Sequence, residues 1–232
     1  NITIVGPTVR GTKFGVYDFL QRYIGVRWLM PDEAGEDVPQ MNDLYVPQVT
    51  VKEEPAYSSR GLYPLMNVNI NNDQIRYQWG QFMRLYNQNP GATHFVYRFF
   101  PPSQYEETHP EYYPRDENGV IQVPSPHSGW QPCFSNEDTV QVAVDWIIDY
   151  FDNNPDQSAI SLAVTDRGNY CEEYPHHPGY TNERNSIGLT NMSDIYYAWV
   201  NNVVEQVLEV YPDKSFGVLA YQEVYDPPSF QL

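Results

Sequence analysis

Ser158-Ala-Ile-Ser-Leu-Ala-Val-Thr-Asp166-Arg-Gly-Asn-Tyr-Cys171-Glu-Glu173 decides how this chain is read. Ala159 to Val164 is a short, mostly apolar run with β-branched members, entered from the turn cluster Asn153-Asn-Pro-Asp156. A run of that length with those flanks predicts a strand buried on both faces. It breaks at once into Thr165-Asp166-Arg167-Gly168-Asn169, so a carboxylate, a guanidinium and a glycine turn stand where a buried strand ends. In parallel α/β folds that end is where ligands are held and chemistry is done. Two plainer readings stand beside this one: Asp166 pairs with Arg167, or it caps the turn.

Working outward, alternation continues on both sides. Glu137 to Phe151 carries Val140, Val144, Ile147, Ile148 and Phe151 at helical spacing, behind a capping-box-like Ser135-Asn-Glu-Asp138. After the central strand, Ser193 is an expected cap for a helix with Ile195, Trp199, Val203, Val207 and Val210 in register, stopped at Tyr211-Pro212. The last strand is expected over Phe216 to Tyr221, ending in Gln222-Glu223. Upstream, strands are expected near 58–63, 94–100 and 131–134, with a helix capped by Asp73 and a short helix at His109 to Tyr113 in the long 101–130 loop. Residues 1–50 read as a separate small unit. It has a strand at Ile2 to Val5, a helix capped by Thr12 and closed by Gly25, and a second strand at Val26 to Leu29.

Such alternation predicts a parallel sheet with crossover helices. The expected fold class is therefore α/β: a small N-terminal α/β domain over 1–50, then over 51–232 the first part of a TIM (β/α)8 barrel. The barrel is expected to be incomplete, because a full one needs about 250 residues. The opening Asn1-Ile-Thr-Ile-Val-Gly6 reads as a strand entered in mid-fold, so the chain is expected to begin inside a longer protein.

Composition narrows the partners. The net charge of -17 argues against nucleic acid and anionic membrane surfaces, which need basic patches. No apolar run is long enough to span a bilayer. No GxGxxG or GxxxxGK[ST] loop follows any strand, and no cofactor is expected. Cys171 through His176-His177 does not match zinc spacing, so no metal is expected either. Cys133 and Cys171 permit at most one bridge.

In a barrel, strand ends from distant parts of the sequence face one rim. Asp166 and Glu223 end successive parallel strands, about 4.8 Å apart, so both carboxylates can flank one small group. Paired carboxylates suit glycosidic-bond cleavage. Trp130, Tyr170 and Tyr221 are candidate stacking faces for sugar rings, and Arg60, His94 and Arg167 candidate partners for hydroxyls.

These residues sit in segments that resemble glycoside hydrolase family 163, formerly the DUF4838 family. The matching segments are Gly11-Thr-Lys-Phe-Gly-Val-Tyr-Asp-Phe-Leu20 with Ile24-Gly-Val-Arg-Trp-Leu29, Gly129 to Ser135, Ser161 to Cys171, and Leu219 to Glu223 with Pro227-Pro228. The first resembles the small domain that precedes α-glucuronidase and β-hexosaminidase barrels. The resemblance implies a secreted, periplasmic or cell-surface bacterial endo-β-N-acetylglucosaminidase that acts on an oligosaccharide or glycoprotein glycan. It also implies a retaining mechanism in which the substrate's acetamido group is the nucleophile, with Glu223 as acid/base and Asp166 as its orienting partner. The rival expectations are a carbohydrate-binding barrel without catalysis and an exo-acting enzyme of the hexosaminidase or glucuronidase kind.

Overall fold

The computed structural model describes residues 1–57, 59–62, 74–86, 91–116, 118–123 and 129–232. These form a mixed α/β protein with five α-helices and short sheets, in two compact units, Asn1–Asn89 and Pro90–Leu232.

In the first unit, α1 spans Val9–Phe19 and runs into a π-helical turn, Leu20–Ile24. Its cap is Thr8 rather than Thr12: the Thr8 side chain accepts from Gly11 N at 3.0 Å. Thr12 is used inside the turn, donating to Thr8 O. Gly25 ends the turn at φ 82, the left-handed stop expected of a glycine there. Strands β1 (Arg27–Trp28) and β2 (Glu36–Asp37) pair antiparallel. Ile2 to Val5, expected as a strand, is irregular. Helix α2 (Gln74–Phe82) joins this unit because Trp28 stacks on Phe82 and Tyr17 meets both edge-on. That aromatic trio is why the division falls after Asn89 and not near residue 50. The expected Asp73 cap and the two ends of the 58–63 strand lie outside the described residues, and between those ends Arg60 makes an isolated antiparallel bridge to Tyr86 in place of a strand.

The second unit is built on the central run. Residues 160–165 are buried without a break, and Leu162, Ala163 and Val164 are essentially inaccessible. Burying a Leu or Val side chain contributes about 1.5–3 kcal/mol. Strand β3 (Ala159–Ser161) pairs in parallel with β4 (Ser215–Gly217), as the alternation predicted. Backbone groups then serve both edges in turn. Leu162 N donates to Gly217 O at 2.8 Å, while Ala163 O accepts Phe95 N at 3.0 Å. The stretch around 94–100 is thus a direct neighbour of the central run, yet it is no strand: Val96–Phe99 winds into a 3-10 turn whose Val96 and Phe99 are fully buried. The predicted order, with 131–134 between these two segments, is corrected accordingly.

Residues 131–134 also lack a strand ladder. The buried Gln131 side chain replaces it. Its oxygen accepts Thr165 N at 3.1 Å, and its nitrogen donates to Thr165 Oγ1 at 2.9 Å and Arg167 O at 2.6 Å. A disulfide joins Cys133 to Cys171 two residues further on. Short α3 (Pro102–Tyr105) was not foreseen, and the helix expected at His109 to Tyr113 is a 3-10 turn, Pro110–Tyr112.

Helices α4 (Glu137–Asn153) and α5 (Ser193–Val210) cover the run and pack on each other. Asn136, not Ser135, caps α4, accepting from Asp138 N at 3.0 Å. Ser193 is the first residue of α5 and donates to Asp226 O, while Asn191 accepts its N–H. Buried Trp199 donates to Thr139 Oγ1 at 3.0 Å, tying α5 to the start of α4.

The disulfide closes a loop with a sequence separation of 38. Chain entropy for a loop of that size is worth about 4 kcal/mol. Replacing both Cys133 and Cys171 by Ala should lower the stability of this unit by that order, read by urea denaturation. A loss under about 1 kcal/mol would mean that the bridge adds nothing to the Gln131 clamp.

Candidate functional site

The parallel register of β3 and β4 carries Thr165-Asp166 and Tyr221-Gln222-Glu223 to the same end of the two runs. A side-chain bond closes that end: Tyr221 OH donates to Asp166 Oδ1 at 2.6 Å. The same bond pushes the Tyr221 hydroxyl above its ordinary pKa, because losing the proton would set two negative charges together. His94 completes the group. Its Nδ1 lies 2.6 Å from Val164 O, and since a carbonyl only accepts, Nδ1 carries the proton. Nε2 is thereby turned to Asp166 Oδ1 at 3.6 Å, and the imidazole meets the Tyr221 ring edge-on at 5.3 Å. Asp166 itself is largely open to solvent, at 63% side-chain exposure. Neither plainer reading of Asp166 describes this arrangement: its carboxylate is engaged by Tyr221 and faced by His94.

Glu223 lies in a 3-10 turn, Gln222–Val224. The turn is anchored from the head of α5: Met192 N donates to Glu223 O at 2.9 Å, and the buried Tyr197 hydroxyl donates to Val224 O. Asn185 holds Gln222 O at 2.7 Å. Gln222 sits at φ 50, a left-handed conformation that a branched or bulky residue resists. The result is a carboxyl that is 8% exposed. Burial raises its pKa above the ordinary value, and the charge of Glu173 raises it further.

Sequence reasoning considers Glu173 only as a substitute for Glu223 in the acid's role, not as its neighbour. Its signal was its place three residues after Tyr170 at a turn: Tyr170 N donates to Glu173 Oε2 at 3.2 Å, fixing the side chain. Gly168 shows what lies opposite. A β-carbon there would stand 3.1 Å from Glu223 Oε1 and 3.7 Å from Glu173 Oε2. Two carboxylates therefore converge on the bare face of one glycine. Neighbouring Glu172 is fully buried elsewhere, with Oε1 accepting Ser135 N at 2.7 Å. Burial raises its pKa also.

The remaining candidates fall differently. Trp130 and Tyr170, expected as stacking faces, are 2% and 1% exposed and belong to the core. Trp130 packs on Tyr113. Burial pushes the Tyr170 phenol well up, with Glu223 the next contributor. Arg167 has an exposed side chain running past Gly129, while its carbonyl serves Gln131. Arg60 lies in the first unit, where its guanidinium donates to Arg84 O and Tyr57 O. Cys171 is in the disulfide, so it has no free thiol to act as nucleophile or ligand. Beside that bridge opens a cleft of about 540 Å³, lined in part by Arg115, Tyr174, His176 and His177.

Residues 30–232 match the family model described as a domain of unknown function, DUF4838. The chain belongs to the DUF4838 family. No curated protein and no solved structure matches it. The DUF4838 match spans the whole rim, from His94 through Asp166 and Glu173 to Glu223. Among the described residues no helix of this DUF4838 chain is long and apolar enough to cross a membrane.

The burial of Glu223 has a consequence for stability. The folded chain holds this proton more tightly than the unfolded chain, so stability falls as pH rises from the unfolded value, about 4.3, through the raised folded one. Ionised Glu223 weakens the fold at neutral pH and costs nothing in acid. Glu223→Gln should therefore raise the thermal midpoint at pH 7, with the gain disappearing below about pH 4. A variant less stable than the parent at pH 7 would show that the carboxylate is favourably bound and not merely buried.

Proposed function

We propose that this DUF4838 chain carries the acid-bearing part of a retaining glycosidase that cleaves β-N-acetylglucosaminyl linkages within glycans. The observation that carries the reading is Glu223: a buried carboxyl with a raised pKa, on the rim where Asp166 ends the neighbouring parallel strand. A general acid is helped by a raised pKa, and burial beside another carboxylate moves Glu223 in that direction. The alternating β3, α5 and β4 fit one stretch of a (β/α)8 barrel, whose chemistry sits at this end of its strands. The segments resembling family 163 hydrolases include both Asp166 and Glu223.

In this reading Glu223 gives its proton to the glycosidic oxygen as the bond to the anomeric carbon breaks. The substrate's acetamido oxygen closes on that carbon and forms a cyclic oxazolinium. Ionised Glu223 then takes a proton from water, whose oxygen opens the ring and restores the configuration. Asp166 accepts the acetamido N–H, and the Tyr221 hydroxyl holds it in place. No cofactor enters these steps. A buried disulfide fits a secreted, periplasmic or cell-surface protein, since such bridges persist in oxidising compartments.

The test uses the full-length protein on an N-glycan. Glu223→Gln should cut turnover by roughly a hundredfold or more while glycan binding stays within a few-fold. Asp166→Asn should also slow turnover. Intact oligosaccharide should be released, where an exo-acting enzyme would release single sugars. A Glu223→Gln rate within a few-fold of the parent would remove Glu223 from the acid's role. Glycan binding with no turnover in the parent would favour a binding module.

A further inference from the structure

Glu173 and Glu223 come from different elements and both approach the bare face of Gly168. The β-position of Gly168 lies 3.1 Å from one carboxylate and 3.7 Å from the other. Gly168 shows no left-handed φ, in contrast to Asn169 beside it at φ 64. A β-carbon there would press the Glu223 oxygen aside by a few tenths of an ångström, with no obstacle from the backbone.

The surroundings make the two carboxyls unequal. Glu173 is partly exposed and accepts a backbone N–H from Tyr170. Glu223 is 8% exposed. Its titratable neighbours are Glu173, Tyr170 and Tyr221. From α5, the hydroxyls of Tyr196 and Tyr197 are already given to Leu162 O and Val224 O. The Arg167 side chain runs past Gly129. Among the described residues no ion pair reaches either carboxylate. A negative charge on Glu173 therefore acts on Glu223 without a cation to offset it.

We propose that Glu173 is a positioning residue of this site, its carboxylate set across Gly168 from that of Glu223 so that it governs how readily Glu223 gives up its proton. This rests on the glycosidase reading only for its use in turnover; the coupling itself does not depend on any reaction. Asp166, exposed and bound by Tyr221, keeps its separate task on the substrate.

Glu173→Gln is the variant of choice, because the amide oxygen can still accept the Tyr170 N–H. In the full-length protein with isotope-labelled glutamate, infrared spectra should show a carboxyl that ionises above the ordinary glutamate range and that Glu223→Gln abolishes. In Glu173→Gln that carboxyl should ionise about one pH unit lower, the scale on which interacting sites couple. The alkaline limb of kcat/KM on a glycan should move down with it, and Glu173→Asp should restore most of the shift. An unchanged Glu223 titration in Glu173→Gln overturns the proposal, whatever the activity. The infrared shift in a protein that cleaves no glycan would leave the pair standing and sink the glycosidase reading instead. Should Glu173→Gln fold poorly, Gly168→Ala gives a second route. Its methyl intrudes between the carboxylates, and an undisturbed Glu223 titration there likewise overturns the proposal.

Discussion

The side chain of Gln131 is the fastening on which the rim depends. A β-ladder ends where strands diverge, and the backbone of Thr165 to Arg167 would be left with buried, unpaired groups. Gln131 supplies both a donor and an acceptor to that stretch from a position with no exposure at all. Leaving a buried polar group unsatisfied costs about 1–3 kcal/mol, so this amide is worth more than its own burial. Thr165 reciprocates, its hydroxyl donating to Trp130 O at 2.9 Å. Asn169 extends the seam by donating to Gly129 O. The disulfide then fixes the far end. A loop that leaves a strand and carries charge is in this way held nearly as firmly as the strand.

That firmness is what lets the site retain unfavourable features. Asn169 and Gln222 both adopt left-handed backbone, one beyond each parallel strand end. Each such residue costs on the order of 1 kcal/mol and persists only where its surroundings over-determine it. Glu223 is buried without an opposite charge, and Glu173 approaches it. These costs gather at one rim while the favourable burial lies elsewhere, in Leu162 to Val164 and the α4 and α5 faces. Strain and perturbed carboxyls concentrated together, away from the core, are the physical mark of a site shaped for use.

The central run was legible because burial writes itself into composition: an apolar stretch bounded by turn residues has few other readings. Its parallel pairing with 215–217 followed from the intervening helix, and the placing of Asp166 and Glu223 at one end of the two runs followed from that pairing, while the bond from Tyr221 to Asp166 was not foreseen. The flanking segments were harder. Residues 94–100 look like a strand in their aromatic and β-branched content, yet Phe95, Phe99 and Trp146 pack edge-on in a cluster that a 3-10 turn accommodates. Gln131 carries no local pattern that announces a clamp, since its partners lie 34 and 36 residues away. Trp130 and Tyr170 were read as sugar platforms from ring chemistry alone. The same rings serve a core equally well, and only burial decides between the two uses. The Glu173 pairing was invisible for a related reason, because it forms across the bare face of Gly168.

Cys171–Glu173 shows how little chain can organise such a site. It is a single 3-10 turn, and three residues per turn send successive side chains about 120° apart. Cys171 is bonded to Cys133, Glu172 receives the N–H of Ser135 at the entry to α4, and Glu173 is left to face Gly168. Two of the three directions are spent on anchoring. The third is fixed by the Tyr170 N–H, which Glu173 Oε2 accepts at 3.2 Å. An α-helical turn would rotate each side chain by only about 100°, and a strand would alternate them. Neither would set three neighbours on three separate tasks. The adjacent glutamates differ in role because the turn separates them, and the turn can do so because the bridge at its first residue stops it from unwinding.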